Sequence, residues 1–111
     1  MSDELGRVFA ALADPTRRRI VETFLRDGST STPELASTLP ISRQAVAKHL
    51  ATLDAAGLIE RTPGGGREVR YSLREGGLGP AATWLTRADE AWEDRLARLK
   101  GAVEGGRRAR R

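Results

Sequence analysis

Residues 42–73 set a polar-faced helix pattern directly before two arginine-studded strand patterns, and this order restricts the fold more than any other feature of the chain. In SRQAVAKHLATL (42–53), Val46, Leu50 and Leu53 recur at helical spacing, which turns them toward a core and leaves Gln44 and Lys48 on the opposite face. Ser42 suits the N-cap, and Gly57 suits the left-handed residue that ends such a helix. The helix over 42–56 is then about four turns long, enough to lie in a major groove. LIER (58–61) and EVRYSL (68–73) read as strands, the second with Val69, Tyr71 and Leu73 on one face and Arg70 and Ser72 on the other. TPGGGR (62–67) is the tip between them, and the whole reads as a helix-turn-helix followed by a two-stranded wing. The triple glycine is not a phosphate-binding loop, because the Gly-Lys-Ser/Thr and the following helix are missing.

Upstream, Leu5, Val8, Phe9 and Leu12 predict an amphipathic helix that stops at Asp14, because the residue before Pro15 is pushed out of helical geometry. Asp14 caps the next helix, whose inner face carries Ile20, Val21, Phe24 and Leu25 and which runs out at Gly28. Arg18, Glu22 and Arg26 read as solvated charge pairs on its outer face. Thr32, Pro33 and Glu34 then supply a cap, a first-turn proline and a first-turn acid for a short helix that Pro40 ends within two turns. This short helix, a tight turn and the helix from Ser42 have the spacing of a helix-turn-helix, although a plain helical hairpin shares it.

EGGLGP (75–80) separates the wing from a last helix with Trp84, Leu85, Ala88, Trp92, Leu96, Leu99 and Val103 at helical spacing. A chain of 111 residues has a thin core, so this long stripe calls for a cover. Pairing with the same helix of a second chain, joined by Leu5, Val8, Phe9 and Leu12, is the expected arrangement; packing inside one chain on Leu5 and Phe9 is the alternative. The expected organisation is one domain over 1–104 and a basic disordered tail over 105–111. The fold expected is mainly α with a small β-hairpin, a winged helix-turn-helix of about five helices plus a two-stranded wing.

The formal net charge is +4, with 19 basic residues of which all but Lys48 and Lys100 are arginine. Arginine forms bidentate bonds to phosphate and guanine, so double-stranded DNA is the expected partner, but the 15 acidic residues nearly balance the total and placement is what counts. Absence of cysteine removes disulfides and thiolate metal sites. No cysteine nucleophile, no histidine with an identifiable nucleophile and orienting acid, and no cofactor fingerprint are present, so an enzyme and a cofactor are both unexpected. No signal-peptide pattern opens the chain and no run approaches a membrane span, so a cytoplasmic protein without membrane contact is expected.

These patterns resemble the ArsR-type family of bacterial winged-helix repressors. AALADPTRRRIV (10–21) resembles that family's approach to its second helix, and ISRQAVAKHL (41–50) followed by AGLIER (56–61) resembles its reader helix and first wing strand. The resemblance implies a homodimer with first and last helices at the interface and two reader helices in successive major grooves of a pseudo-palindromic operator. The chain departs from the metal-sensing members: TPELAS (32–37) stands where they carry a cysteine pair, and their histidine-carboxylate site has here Asp89, Glu90, Glu93 and Asp94 without histidine. No transition-metal site is therefore expected, and no inducer is specified.

The residues expected to meet DNA are Ser42 with the first amides of its helix at a phosphate, Arg43, Gln44 and Lys48 at base edges or flanking phosphates, and Arg61, Arg67 and Arg70 along the wing. His49, the single histidine, lies at the edge of the inward face, suited to packing or to a phosphate bond. The competing function is a winged-helix module that binds protein and has only non-specific affinity for nucleic acid.

Overall fold

The computed structural model describes residues 3–63 and 66–109. Their contacts gather into two compact units, Met1–Pro80 and Ala81–Arg111. The first holds four helices and a sheet, and the second is made by the last helix.

In α1 (Glu4–Ala13), Asp3 caps the start by accepting from the Gly6 amide at 2.7 Å, and Val8 and Ala11 are buried. Asp14 is extended, as a residue before proline should be, and its carboxylate accepts from the Arg17 amide at 3.0 Å to cap α2 (Pro15–Asp27). Gly28, with φ +84°, closes that helix by donating to the Phe24 carbonyl at 2.8 Å. Ile20, Val21 and Phe24 point inward as expected, but Leu25 does not. It is 64 % exposed, because one residue past Phe24 rotates the side chain by about 100° out of the apolar face.

Residues 29–31, to which the sequence pattern assigns no element, form a strand, β1 (Ser29–Ser31). The wing is therefore two strands of a three-stranded antiparallel sheet ordered β1-β3-β2, with β2 (Ile59–Thr62) and β3 (Arg70–Leu73). Ser31 and Thr62 both stand opposite Arg70, on the two sides of β3. Three polar residues give no alternation to read. The backbone of β3 supplies their pairing, and Thr30 and Ser31 are buried by it. Val69 lies outside β3 and is exposed, while Tyr71 and Leu73 are half-buried.

The short α3 (Thr32–Thr38) is capped one residue earlier than expected, at Ser31 rather than Thr32, since Ser31 accepts from the Glu34 amide at 3.3 Å. Its partner α4 (Arg43–Ala55) is capped by Ser42, which accepts from the Ala45 amide at 3.1 Å. Gly57, with φ +76°, ends α4 as expected: it donates to the Asp54 carbonyl at 2.9 Å, and Leu58 donates to the Leu53 carbonyl at 3.0 Å. Phe24, Ile20, Leu35, Val46, Leu53, Leu58 and Ile59 form the core, each at most 2 % exposed. Burying a side chain of this kind contributes about 1.5–3 kcal/mol, which holds the two helices of the motif against α2 and the base of the wing.

The last helix, α5 (Gly79–Ala109), runs through Gly105 and Gly106, where a disordered tail was expected to begin. Neither glycine takes a positive φ, so nothing in the backbone turns the chain there. Gly64 and Gly65 of the tip and Arg110 and Arg111 of the tail lie outside the described residues.

Candidate nucleic-acid interface

The reader helix is fixed from one side and bare on the other. Val46, Leu50 and Leu53 are at most 3 % exposed, whereas Arg43, Gln44, Ala47, Lys48 and Ala51 form its outer face. The two alanines keep that face flat between the longer polar side chains, so a groove floor can approach the backbone. The N-terminus of α4, capped by Ser42, is the positive end of the helix dipole, an arrangement that attracts an anion.

Arg43, Lys48, Arg61 and Arg67 are exposed, and none takes part in an ion pair among the described residues. Their charge is not cancelled locally. Arg61 stands on β2 and Arg67 in the turn before β3, so the wing carries two cations beyond those of the helix.

Two of the residues considered for DNA make contacts within the protein. His49 is half-buried, and its Nδ1 lies 3.4 Å from Arg17 Nη1, which turns the ring toward the junction of α1 and α2. Arg17 also donates through Nε to the Ala11 carbonyl at 2.6 Å and through Nη2 to the Ala10 carbonyl at 3.2 Å. Arg18 does the same for Leu12 and Ala13 at 2.8 and 2.9 Å, and Arg26 pairs with the adjacent Asp27, so the expected solvated pairing with Glu22 is not made. Together Arg17 and Arg18 satisfy the last carbonyls of α1, a role favoured by the negative end of that helix. The signal was available in the sequence, since both arginines follow the end of α1 within five residues. Asp14 is held below the usual carboxylate range, first by the Arg17 amide that it accepts.

Arg70 turns back into the protein. It donates to Glu34 Oε1 at 2.8 Å and Oε2 at 3.2 Å, to Ser29 Oγ at 3.2 Å and its carbonyl at 3.3 Å, and to Glu68 Oε2 at 3.5 Å. These bonds hold the Glu34 carboxyl below its ordinary range and raise Arg70 further above its own. Sequence reasoning missed Glu34 as a partner.

On the remaining positions, Val8 is 5 % exposed and faces the core, while Leu5, Phe9 and Leu12 are half-buried. On α5, Trp84, Leu85, Trp92, Leu96, Leu99 and Val103 are each at least 40 % exposed in the single chain, and Ala88 is exposed with them. No group of three histidine or acidic side chains among the described residues is placed to hold a metal ion. No described helix is long and apolar enough to cross a membrane.

A capped reader helix behind a short helix, followed by a cationic antiparallel wing, defines a winged helix-turn-helix of the DNA-binding class. A helix-turn-helix domain family matches residues 12–62. The HTH-type transcriptional regulator Rv2034 of Mycobacterium tuberculosis is 47 % identical over 81 residues, 73 % of this chain and 74 % of that protein. The HTH-type transcriptional regulator CmtR of the same organism is 43 % identical over 77 residues, 69 % of this chain and 64 % of CmtR. Among solved structures, an ArsR-like transcriptional regulator from Rhodococcus sp. RHA1 superposes with a TM-score of 0.73 at 45 % identity, covering 87 % of this chain and 90 % of that one. The chain belongs to the ArsR-type family of winged helix-turn-helix regulators: it is a DNA-binding transcription regulator, and the class is not enzymatic.

Proposed function

We propose that the chain acts as a homodimeric repressor that reads an inverted-repeat operator. The observation that carries this reading is the outer face of α4, where Arg43, Gln44 and Lys48 stand exposed on a helix whose other face is locked into the core. A side chain reads a base edge only if its backbone is held still, and three fully buried leucine and valine anchors provide that. In this reading Ser42 and the first amides of α4 hold a phosphate, Gln44 meets adenine, Arg43 and Lys48 meet guanine or flanking phosphates, and Arg61 and Arg67 track the backbone beside the wing.

The dimer rests on α5. An isolated helix of this length has no core of its own, and Leu85, Trp92, Leu96, Leu99 and Val103 make one exposed apolar stripe along it. Pairing with a second α5, flanked by Leu5, Phe9 and Leu12, buries that stripe; Val8 serves the protomer core instead. The two reader helices then relate by two-fold symmetry, which an inverted repeat mirrors. A dimer seated across a promoter excludes polymerase, which makes repression the simplest output.

Sedimentation of the wild-type chain with a duplex carrying its selected site tests this. Two protomers per duplex are expected, and Trp92→Glu combined with Leu99→Glu should give a folded monomer with little operator affinity. A wild-type monomer that still binds the site tightly would overturn the dimeric reading.

A further inference from the structure

We infer that Arg70 is a positioning residue for DNA recognition: bridged to Glu34 and Ser29, it locks the wing to the helix-turn-helix and so sets where Arg61 and Arg67 fall relative to α4. The inference rests on the operator-reading function proposed above, and it gives one wing arginine a role that does not involve touching DNA.

The donor inventory makes the case. A guanidinium has five N–H groups, and the five acceptors around Arg70 are all protein atoms, two of them the oxygens of one carboxylate gripped side by side. Its side chain is only 24 % exposed. Nothing is left over for a phosphate without dismantling the bridge.

Position gives the bridge its leverage. Arg70 is the first residue of β3, the point at which the chain returns from the wing tip to the sheet. Glu34 lies in the first turn of α3, which packs directly on α4, and its second oxygen also accepts from the Thr30 hydroxyl at 3.1 Å. One carboxylate therefore ties together β1, the start of the helix-turn-helix and the base of the tip. The planar fork fixes angle as well as distance, which a lysine at the same place cannot do.

The test uses the full chain, its selected operator and the variants Glu34→Gln, Arg70→Ala, Arg70→Lys and the double variant. Glu34→Gln removes a negative charge, which by simple attraction should tighten DNA binding. Positioning predicts the opposite, a weakening of roughly three- to tenfold, the range of a partly exposed bidentate pair. Arg70→Lys should behave like Arg70→Ala, and the double variant should bind no worse than Arg70→Ala alone. The salt dependence should keep its wild-type slope, with hydroxyl-radical protection lost at the flanks and retained at the centre of each half-site. If Glu34→Gln binds as well as wild type while Arg70→Ala lowers the slope by about one phosphate contact, Arg70 touches DNA and the inference is overturned. If the wild-type chain selects no operator at all, the function fails separately. Amide exchange over residues 66–70 still decides the bridge: it should quicken in Glu34→Gln by a similar factor, and unchanged exchange would refute the lock.

Discussion

Replacing Gly57 with alanine should destabilise the protein through backbone geometry alone. Gly57 has φ +76°, and a Cβ built there meets no atom within 4 Å, so neither a clash nor a lost contact enters. What remains is the cost of holding an L-residue in the left-handed region, about 1–2 kcal/mol. Alanine also stiffens the unfolded chain, which returns some tenths of a kcal/mol, and the net loss is about 1 kcal/mol. For a domain of this size that lowers the thermal midpoint by roughly 4–8 °C, read by circular dichroism at one fixed protein concentration because dimerisation shifts the midpoint too. Asparagine tolerates the left-handed region, so Gly57→Asn should lose clearly less. Gly77→Ala is the steric counterpart: its Cβ would lie 2.9 Å from the Gly57 carbonyl and 3.1 Å from that of Arg74, both backbone atoms that must move. If Gly57→Ala melts with wild type, or Gly57→Asn is as damaging as Gly57→Ala, the left-handed cap is not what ends the reader helix.

Three further outcomes follow from the same contacts. Ser42→Ala leaves the Ala45 amide without its acceptor and should cost about 1 kcal/mol in urea unfolding, with Ser42→Asp close to wild type. Leu53→Ala, at a side chain with no exposure, should cost about 2–5 kcal/mol and lower operator affinity as the anchor under α4 is lost, measured by denaturation and gel shift. Asp14, Asp27 and Glu34 are held below the usual carboxylate range by the Arg17 amide, Arg26 and Arg70 respectively. A depressed folded-state pKa gives stability that is present above the unfolded value, near pH 4, and lost as pH falls through the folded one. The denaturation midpoint should therefore drop on acidification below about pH 4, with a shallower drop in Glu34→Gln; equal slopes would deny Glu34 its part.

Elements marked by local chemistry were readable in the chain. Asp14 before Pro15, Ser42 three residues before a free amide, and Gly57 after a helical apolar run each act within one turn, so the sequence neighbourhood contains the whole interaction. The exposed Gln44 and Lys48 follow from the same periodicity that buries Val46 and Leu50. What stayed hidden depends on distant partners. β1 is polar, and only pairing with β3, about 40 residues later, makes it a strand. The direction of Arg70 is set by Glu34, 36 residues away, and an arginine alternating with Tyr71 on a strand looks the same whether it faces a phosphate or a carboxylate. His49 is similar, since its neighbour Arg17 reaches it from another helix.

The central claim, that α4 reads base sequence, is tested most directly by selecting bound sequences from random duplex DNA with the purified chain. A salt titration on the winning site then follows. The account predicts an enriched inverted repeat with half-sites about one helical turn apart, lost when Gln44→Ala and Lys48→Ala are combined. Gln44→Ala alone should relax preference at one position by about 1–3 kcal/mol, without weakening all sites equally. Failure to enrich any motif, with weak binding that vanishes at moderate salt, would contradict it and turn the fold toward a protein partner.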